Sequence, residues 1–283
     1  MQIVETVSAL KAQIKAWRRA DHTIAVVPTM GNLHQGHLSL VAKAKEYADK
    51  VVVSIFVNPL QFDDKSDLSA YPRTIQHDIE QLTTIDCDLV FTPSADIMYP
   101  EGMDNQTTVS VPGSDDKLCG KNRVGHFDGV ATVVTKLFNM VQADFAVFGE
   151  KDYQQLLVIK KLVQDLNIPI DIVGVATYRE DNGLAMSSRN QYLTEQQYQQ
   201  AAGLYQTLLS IEKKLQQGDD NFEQMQSGAL SELTQLGFEP DYVDIRRADT
   251  LAQATSGDKA LRILAAARLG KARLIDNIAC NLA

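Results

Sequence analysis

Residues 23–57 read TIAVVPTMGNLHQGHLSLVAKAKEYADKVVVSIFV, and the alternation inside this stretch decides the fold. Thr23 to Met30 is an apolar, β-rich run, Gly36 to Ala48 has a helical pattern, and Val51 to Val57 is a second run of buried-strand type. Strand, helix and strand joined this closely make a βαβ unit, which sets its two strands parallel. The alternation continues with a helix near Ile75 to Leu82, a strand at Leu89 to Phe91, a helix around Val130 to Val141 and a strand at Phe145 to Phe148. Leu156, Ile159, Val163 and Leu166 then share one helical face until Pro169 blocks continuation, and Ile170 to Ala176 supplies another strand. The expected class is α/β, a parallel sheet with helices on both faces. Upstream, Met1 to Thr23 reads as one amphipathic helix.

A change of pattern near residue 177 sets the expected domain boundary, giving residues 1–177 and a smaller α+β module at 178–283. Tyr178 to Asn190 is polar and contains Gly183, read as a hinge. Thr194 with Gln197 forms a capping-box start for a helix through about Gln216, and a second helix runs roughly from Phe222 to Leu236. Strands follow at Tyr242 to Arg246, Leu261 to Ala267 and Ala272 to Ile278. The stretch from Met98 to Gly125, rich in Gly, Asp and Asn, has one short strand pattern at Thr107 to Val111. Otherwise it reads as a lid, a binding loop or a variable surface loop.

Composition removes several function classes. The 283 residues carry 27 Lys and Arg against 36 Asp and Glu, a formal charge of −9, which opposes a general footprint for nucleic acid or anionic membrane. An anionic substrate must therefore meet local positive charge. Cys87, Cys119 and Cys280 are odd in number, widely spaced and without a C-x-x-C, so neither a disulfide framework nor a cysteine zinc site is indicated, and a reducing cytoplasm fits. The amino terminus lacks the pattern of an export signal, and no apolar run is long enough for a membrane span.

The chemistry concentrates where the first strand hands over to the first helix, in Pro28-Thr-Met-Gly-Asn-Leu-His34-Gln-Gly-His37. Ligands of open α/β sheets bind at the carboxyl ends of strands, where a helix start offers unpaired N–H groups to an anion. Gly31 and Gly36 allow close backbone approach, and two imidazoles there would face phosphate. Two other readings stand beside this one: half of a metal site, for which no third ligand has suitable spacing, and purely structural histidines. Neither G-x-G-x-x-G nor G-x-x-x-x-G-K-[ST] occurs.

His34-Gln-Gly-His37 looks like the HIGH signature of the adenylylating nucleotidyltransferases. Around it, PTMGNLHQGH, FVNPLQF (Phe56 to Phe62), YPRT (Tyr71 to Thr74), GHFDGV (Gly125 to Val130), FGEKDYQQ (Phe148 to Gln155) and MSSRN (Met186 to Asn190) occur in the order found in the pantothenate synthetases. The chain resembles that family over most of its first 190 residues.

The resemblance implies a Rossmann-like domain binding nucleotide and pantoate, a C-terminal domain covering the site, and a homodimer. It also implies a ligase that joins pantoate to β-alanine through a pantoyl-adenylate, using ATP and Mg²⁺. By the same resemblance, Met30, His34, His37, Gly149, Lys151, Asp152, Met186, Ser187, Ser188 and Arg189 bind ATP, with His37, His34 and Lys151 catalytic. His37 would donate to developing charge and His34 would contact phosphate. Lys151 brings a point charge and Arg189 a fork. Gln61 and Gln155 would bind pantoate, Gln61 also lying near β-alanine, since amides both donate and accept. Asp78 and Asp152 are the motif-based metal candidates, because magnesium needs only one or two carboxylates.

Ordinary explanations accompany several of these residues. Ser187-Ser188-Arg189 alone reads as an exposed turn, Asp78 as a solvated carboxylate on a helix face, and Gln154 as a surface amide. Tyr71 and Arg123 either help close the pocket or are packing and rim residues. The family commonly has Arg-Pro before Gly-His-Phe, whereas this chain has Arg123-Val124, which frees φ and restores an N–H. A related adenylylating ligase with another acid or amine, and a non-catalytic nucleotide-binding protein, are the alternative functions.

Overall fold

The computed structural model describes residues 1–62 and 65–282. In chain order the elements are β1 (Gln2–Val4), α1 (Val7–Arg19), β2 (Ile24–Thr29), α2 (Gln35–Tyr47), β3 (Lys50–Ile55), α3 (Lys65–Ala70), α4 (Ile75–Thr84), β4 (Leu89–Phe91), α5 (Ala95–Met98), α6 (Leu118–Asn122) and α7 (His126–Val141). They continue with β5 (Phe145–Gly149), α8 (Tyr153–Asp165), β6 (Asp171–Val175), α9 (Glu195–Gln216), α10 (Phe222–Gln235), β7 (Glu239–Arg247), β8 (Ala260–Leu269) and β9 (Ala272–Asn281). Two compact units result: residues 1–150 with 154–176, and residues 151–153 with 177–283.

In the first unit six parallel strands lie in the order β1-β4-β3-β2-β5-β6. Their sequences are continuous apolar runs because both faces are covered. Ala25, Val27, Val51, Val53, Val90 and Val147 join Leu38, Val41 and Ala44 of α2 in one core, and the intervening Val26, Val52, Leu89 and Ala146 are equally buried. After β2 the chain builds outward through β3 and β4, then returns to the other side as β5, so strand order reverses between β2 and β5. Pairing between those two strands ends at Val26–Ala146. Pro28, which has no N–H to offer, lies beyond that point and pairs only towards Ser54 of β3. A crevice at the carboxyl ends of β2 and β5 is where a doubly wound sheet receives its ligand.

The second unit packs α9 and α10 on an antiparallel sheet, β7-β8-β9. Leu204, Leu208 and Ile211 of α9 and Met225 and Leu233 of α10 meet Ile245, Ile263 and Ala265 of the strands in its core. Thr194 caps α9 by accepting from the Gln197 N–H, as the capping-box spacing predicts.

Four local expectations change. Residues 2–4 form a strand because β1 finds a ladder on β4, with the Gln2 N–H donating to Asp88 O at 2.9 Å; α1 begins only after the Thr6 cap. Thr107 to Val111 is not a strand, since the Val109 N–H is taken by Thr132 Oγ1 of α7 at 2.9 Å. Helix α7 starts at His126, four residues early, because Gly125 at φ +76° turns the chain into it. Gly183 lies in a hairpin and not in an open linker: it closes a turn at φ +92° beside an Arg179–Ala185 bridge, so close to Tyr205 that a Cβ would lie 2.8 Å from its ring.

Gly129 shows how tightly α7 seats the loop after β3. A Cβ there would overlap Leu60 C and O and come within 2.7 Å of Gln61 N, all backbone atoms. Gly129→Ala is therefore expected to destabilise the first unit by about 1–3 kcal/mol, read as a lower melting temperature. An unchanged melting temperature would contradict this packing.

Candidate active site

The turn after β2 is built around a carboxylate. Gly31 and Asn32 take left-handed conformations, φ +80° and +50°, which turns successive N–H groups inward. Asp78 of α4 receives them, Oδ2 accepting from Asn32 N at 3.0 Å and Oδ1 from Leu33 N at 2.8 Å, while the Thr74 hydroxyl donates to Oδ1 at 3.1 Å. A Cβ on residue 31 would lie 3.0 Å from Asp78 Oδ2 and from Ile55 Cγ2, so glycine fits here for space as well as for φ. Asp78 is 0% exposed. It is not a solvated carboxylate, because its oxygens hold the turn.

His34 is the N-cap of α2 and His37 lies in its first turn, their rings 4.1 Å apart. The His34 N–H donates to His37 Nδ1 at 3.3 Å. A backbone amide can only donate, so in neutral His37 the proton sits on Nε2. The His37 ring donor therefore lies in the first turn of α2, at the end of the helix where backbone amides favour an anion. Gly36 is an ordinary first-turn helical residue.

Gln61, 8% exposed, closes another side of this unit. Its Nε2 donates to Met30 Sδ at 3.0 Å, and its Oε1 accepts from Asn58 Nδ2 at 3.1 Å. Its own carbonyl is held by Arg123 at 3.2 Å and by His126 Nδ1 at 2.7 Å, while Arg123 also donates to His126 Nε2 at 3.0 Å. Arg123 and His126 therefore fasten the backbone of the Gln61 loop. Tyr71 sets its ring edge against Phe62 in the same loop, 5.5 Å away. Val124, standing where the family commonly has proline, is 84% exposed.

Asn58 and Tyr99 carry part of this site without having been singled out by the sequence. The Tyr99 hydroxyl donates to Asn58 Oδ1 at 2.7 Å. Burial pushes the Tyr99 phenol well above its ordinary pKa, so it remains a donor. Asn-Pro before a 3-10 turn was the available signal for Asn58, whose Oδ1 accepts from Leu60 N. Nothing local marks Tyr99.

The segment from Met98 to Gly125 is tied to its surroundings. Gln154, 7% exposed and no surface amide, donates to Ser114 O and Lys117 O at 3.0 Å each and accepts from Cys119 N at 3.1 Å. Burial and then the neighbouring Asp128 push the Asp115 carboxyl up. Gly149 ends β5, and Gln155 lies half-buried on α8.

The second unit holds Lys151, Asp152 and Met186 to Arg189. The Lys151 carbonyl accepts from Asn277 Nδ2 of β9 at 2.8 Å, and Arg262 of β8 lies 3.8 Å over the Tyr153 ring. Lys151 Nζ is 3.7 Å from the half-exposed Asp152 carboxylate. Met186 N donates to Tyr178 O at 2.9 Å, and Ser187 Oγ accepts from Arg189 N at 3.2 Å, opening the 3-10 turn Ser188–Tyr192. The exposed-turn reading of this segment becomes an anchored one, because Arg179 beneath it forks onto buried Asp276 at 2.6 and 2.9 Å. No group of three or more His, Cys, Asp or Glu suited to a metal occurs among the described residues.

Fold and site together define a doubly wound α/β protein whose switch point carries a helix start bearing two histidines. A family model described as pantoate-beta-alanine ligase matches residues 2–279. A pantothenate synthetase of Shewanella baltica is 56% identical over 269 residues, 95% of each chain. The crystal structure of pantothenate synthetase from Thermus thermophilus superposes with a TM-score of 0.91 at 42% identity, covering 98% of this chain and 99% of that one. A pantoate-beta-alanine ligase from Francisella tularensis, complexed with beta-gamma ATP and beta-alanine, gives 0.81 at 36% identity over 98% and 97%. The chain belongs to the pantoate–β-alanine ligase family and is a carbon–nitrogen ligase that forms pantothenate.

Asp78→Ala would leave the Asn32 and Leu33 amides without their acceptor. It is expected to cost about 2–4 kcal/mol of stability in denaturant titration, and an unaltered midpoint would remove Asp78 from the turn's support.

Proposed function

We propose that this ligase activates pantoate with ATP on the turn between β2 and α2, and that the observation carrying this reading is the donor geometry at His37. Its Nδ1 is occupied by the His34 amide, which leaves the ring proton on Nε2 in the first turn of α2. In this reading Met30, His34, His37, Gly149, Lys151, Asp152, Met186, Ser187, Ser188 and Arg189 bind ATP. His37 and Lys151 stabilise charge on the phosphates, and His34 contacts phosphate directly. Gln61 and Gln155 bind pantoate, and Gln61 also borders β-alanine.

The pantoate carboxylate attacks the α-phosphorus and pyrophosphate leaves. The β-alanine amine then attacks the acyl carbon of the mixed anhydride and AMP leaves with its phosphate oxygen. Both steps place growing negative charge on oxygen, which the cationic and amide donors named above are suited to receive. For Mg²⁺, Asp152 is the suitable ligand, since its carboxylate is half-exposed whereas that of Asp78 is committed to backbone. Bound with ATP, the ion would supply charge neutralisation on the phosphates. Three free cysteines fit a reducing cytoplasm, and a homodimer follows from family resemblance.

An assay with ATP, pantoate and β-alanine, each omitted in turn, is expected to form AMP only when all three are present. AMP release that ignores either organic substrate would overturn the reading. His37→Ala is expected to fold and to lose pantoate-dependent ATP–pyrophosphate exchange by roughly 10²–10³-fold, whereas near-normal exchange would remove His37 from the mechanism.

A further inference from the structure

The side-chain amide of Gln61 has two possible faces, and the structure selects one of them through a chain of hydrogen bonds that begins at Tyr99. Asn58 is the link. Its Oδ1 accepts from Leu60 N at 3.3 Å and from the Tyr99 hydroxyl at 2.7 Å, and its Nδ2 donates to Gly129 O and to Gln61 Oε1, both at 3.1 Å. A backbone N–H only donates and a backbone carbonyl only accepts, so the Asn58 amide has a single orientation. Its Nδ2 then obliges Gln61 to point Oε1 inward, which turns Gln61 Nε2 towards Met30. Facing a ligand, Gln61 is a donor. That polarity suits the oxygens of a hydroxy acid and opposes a group that must itself donate.

Of the two bonds on Asn58 Oδ1, the one from Leu60 is long and the one from Tyr99 is short. Tyr99 is 3% exposed, with Phe56 6.0 Å from its ring and Lys136 Nζ 5.3 Å over it, so the hydroxyl is held at one place. We propose that Tyr99 is a positioning residue for the acid substrate, acting through Asn58 to keep the Gln61 amide turned with its NH₂ towards the ligand. Without the Tyr99 hydroxyl, Asn58 Oδ1 keeps only the long bond from Leu60 N while Nδ2 keeps Gly129 O. The Asn58 amide then retains its orientation but loses its shortest tether, and its hold on Gln61 Oε1 loosens enough for Gln61 to sample the flipped face that sets oxygen against oxygen. This rests on Gln61 binding pantoate.

Tyr99→Phe keeps the buried ring and removes only the donor. In the full-length enzyme, KM for pantoate is expected to rise roughly three- to tenfold, the scale of one neutral hydrogen bond, while KM for ATP stays unchanged. The increase should vanish in an Asn58→Ala background, because the path then has no middle link. An unchanged pantoate KM, a rise shared equally with ATP, or an effect that persists in Asn58→Ala each overturns the proposal. A lowered melting temperature with pantoate KM intact also overturns it, by making Tyr99 merely structural. Asn58→Asp tests the same chain with Tyr99 untouched. It replaces the donor facing Gln61 by an acceptor, and should raise pantoate KM more than Asn58→Ala does; equality of the two contradicts the polarity argument. Gln61→Ala serves as the control: if it leaves pantoate KM unaltered, the pantoate reading of Gln61 is what fails.

Discussion

The contact on which the first unit depends is a carboxylate taking two backbone amides. Asp78 has no exposed surface, yet its oxygens accept from Asn32, Leu33 and Thr74. Hydrogen bonds from backbone N–H groups satisfy a buried carboxylate. The same bonds hold Gly31 and Asn32 in the left-handed region, and that bend delivers the chain into α2 with His34 as its cap. Sheet order supplies the rest: pairing between β2 and β5 stops early, so the bend opens beside a crevice where the strands part.

Around that bend the side-chain amides are held by one another, by backbone and by the Tyr99 hydroxyl, and Arg123 holds the Gln61 carbonyl. Asn58 joins Tyr99, Gln61 and Gly129, and Gly129 must be glycine because the Leu60–Gln61 backbone lies against it. In the second unit the corresponding support comes from the strands. Asn277 holds the Lys151 carbonyl, Arg262 covers Tyr153, and the Arg179–Asp276 fork steadies the hairpin leading to Ser187. A low dielectric strengthens such networks when complete and penalises them when a member is missing.

Elements whose burial is encoded by local periodicity were legible from the chain alone: β2, β3, α8, and the Thr194-capped α9. Elements that exist only because a distant partner is present were not. β1 needs the edge of β4, Thr107 to Val111 loses its strand because Thr132 takes an amide, and α7 gains a turn from the φ of Gly125. Gln154 illustrates the same limit for side chains: a glutamine that reads as a surface amide is buried, and three backbone groups of another segment bond to it.

The sequence by itself determined the βαβ order and the character of the sheet, since spacing along one strand or helix carries that information, while the Gln, Lys and Ser-Ser-Arg residues were singled out by its resemblance to the pantothenate synthetases. Tertiary structure alone decided that Asp78 belongs to a turn 46 residues away, that Tyr99 reaches Asn58 across 41 residues, and which face of the Gln61 amide turns to Met30. The physical reason is that periodicity specifies which side of an element is buried. The partner of a buried donor or acceptor is set only when separate segments are brought within 3 Å of one another.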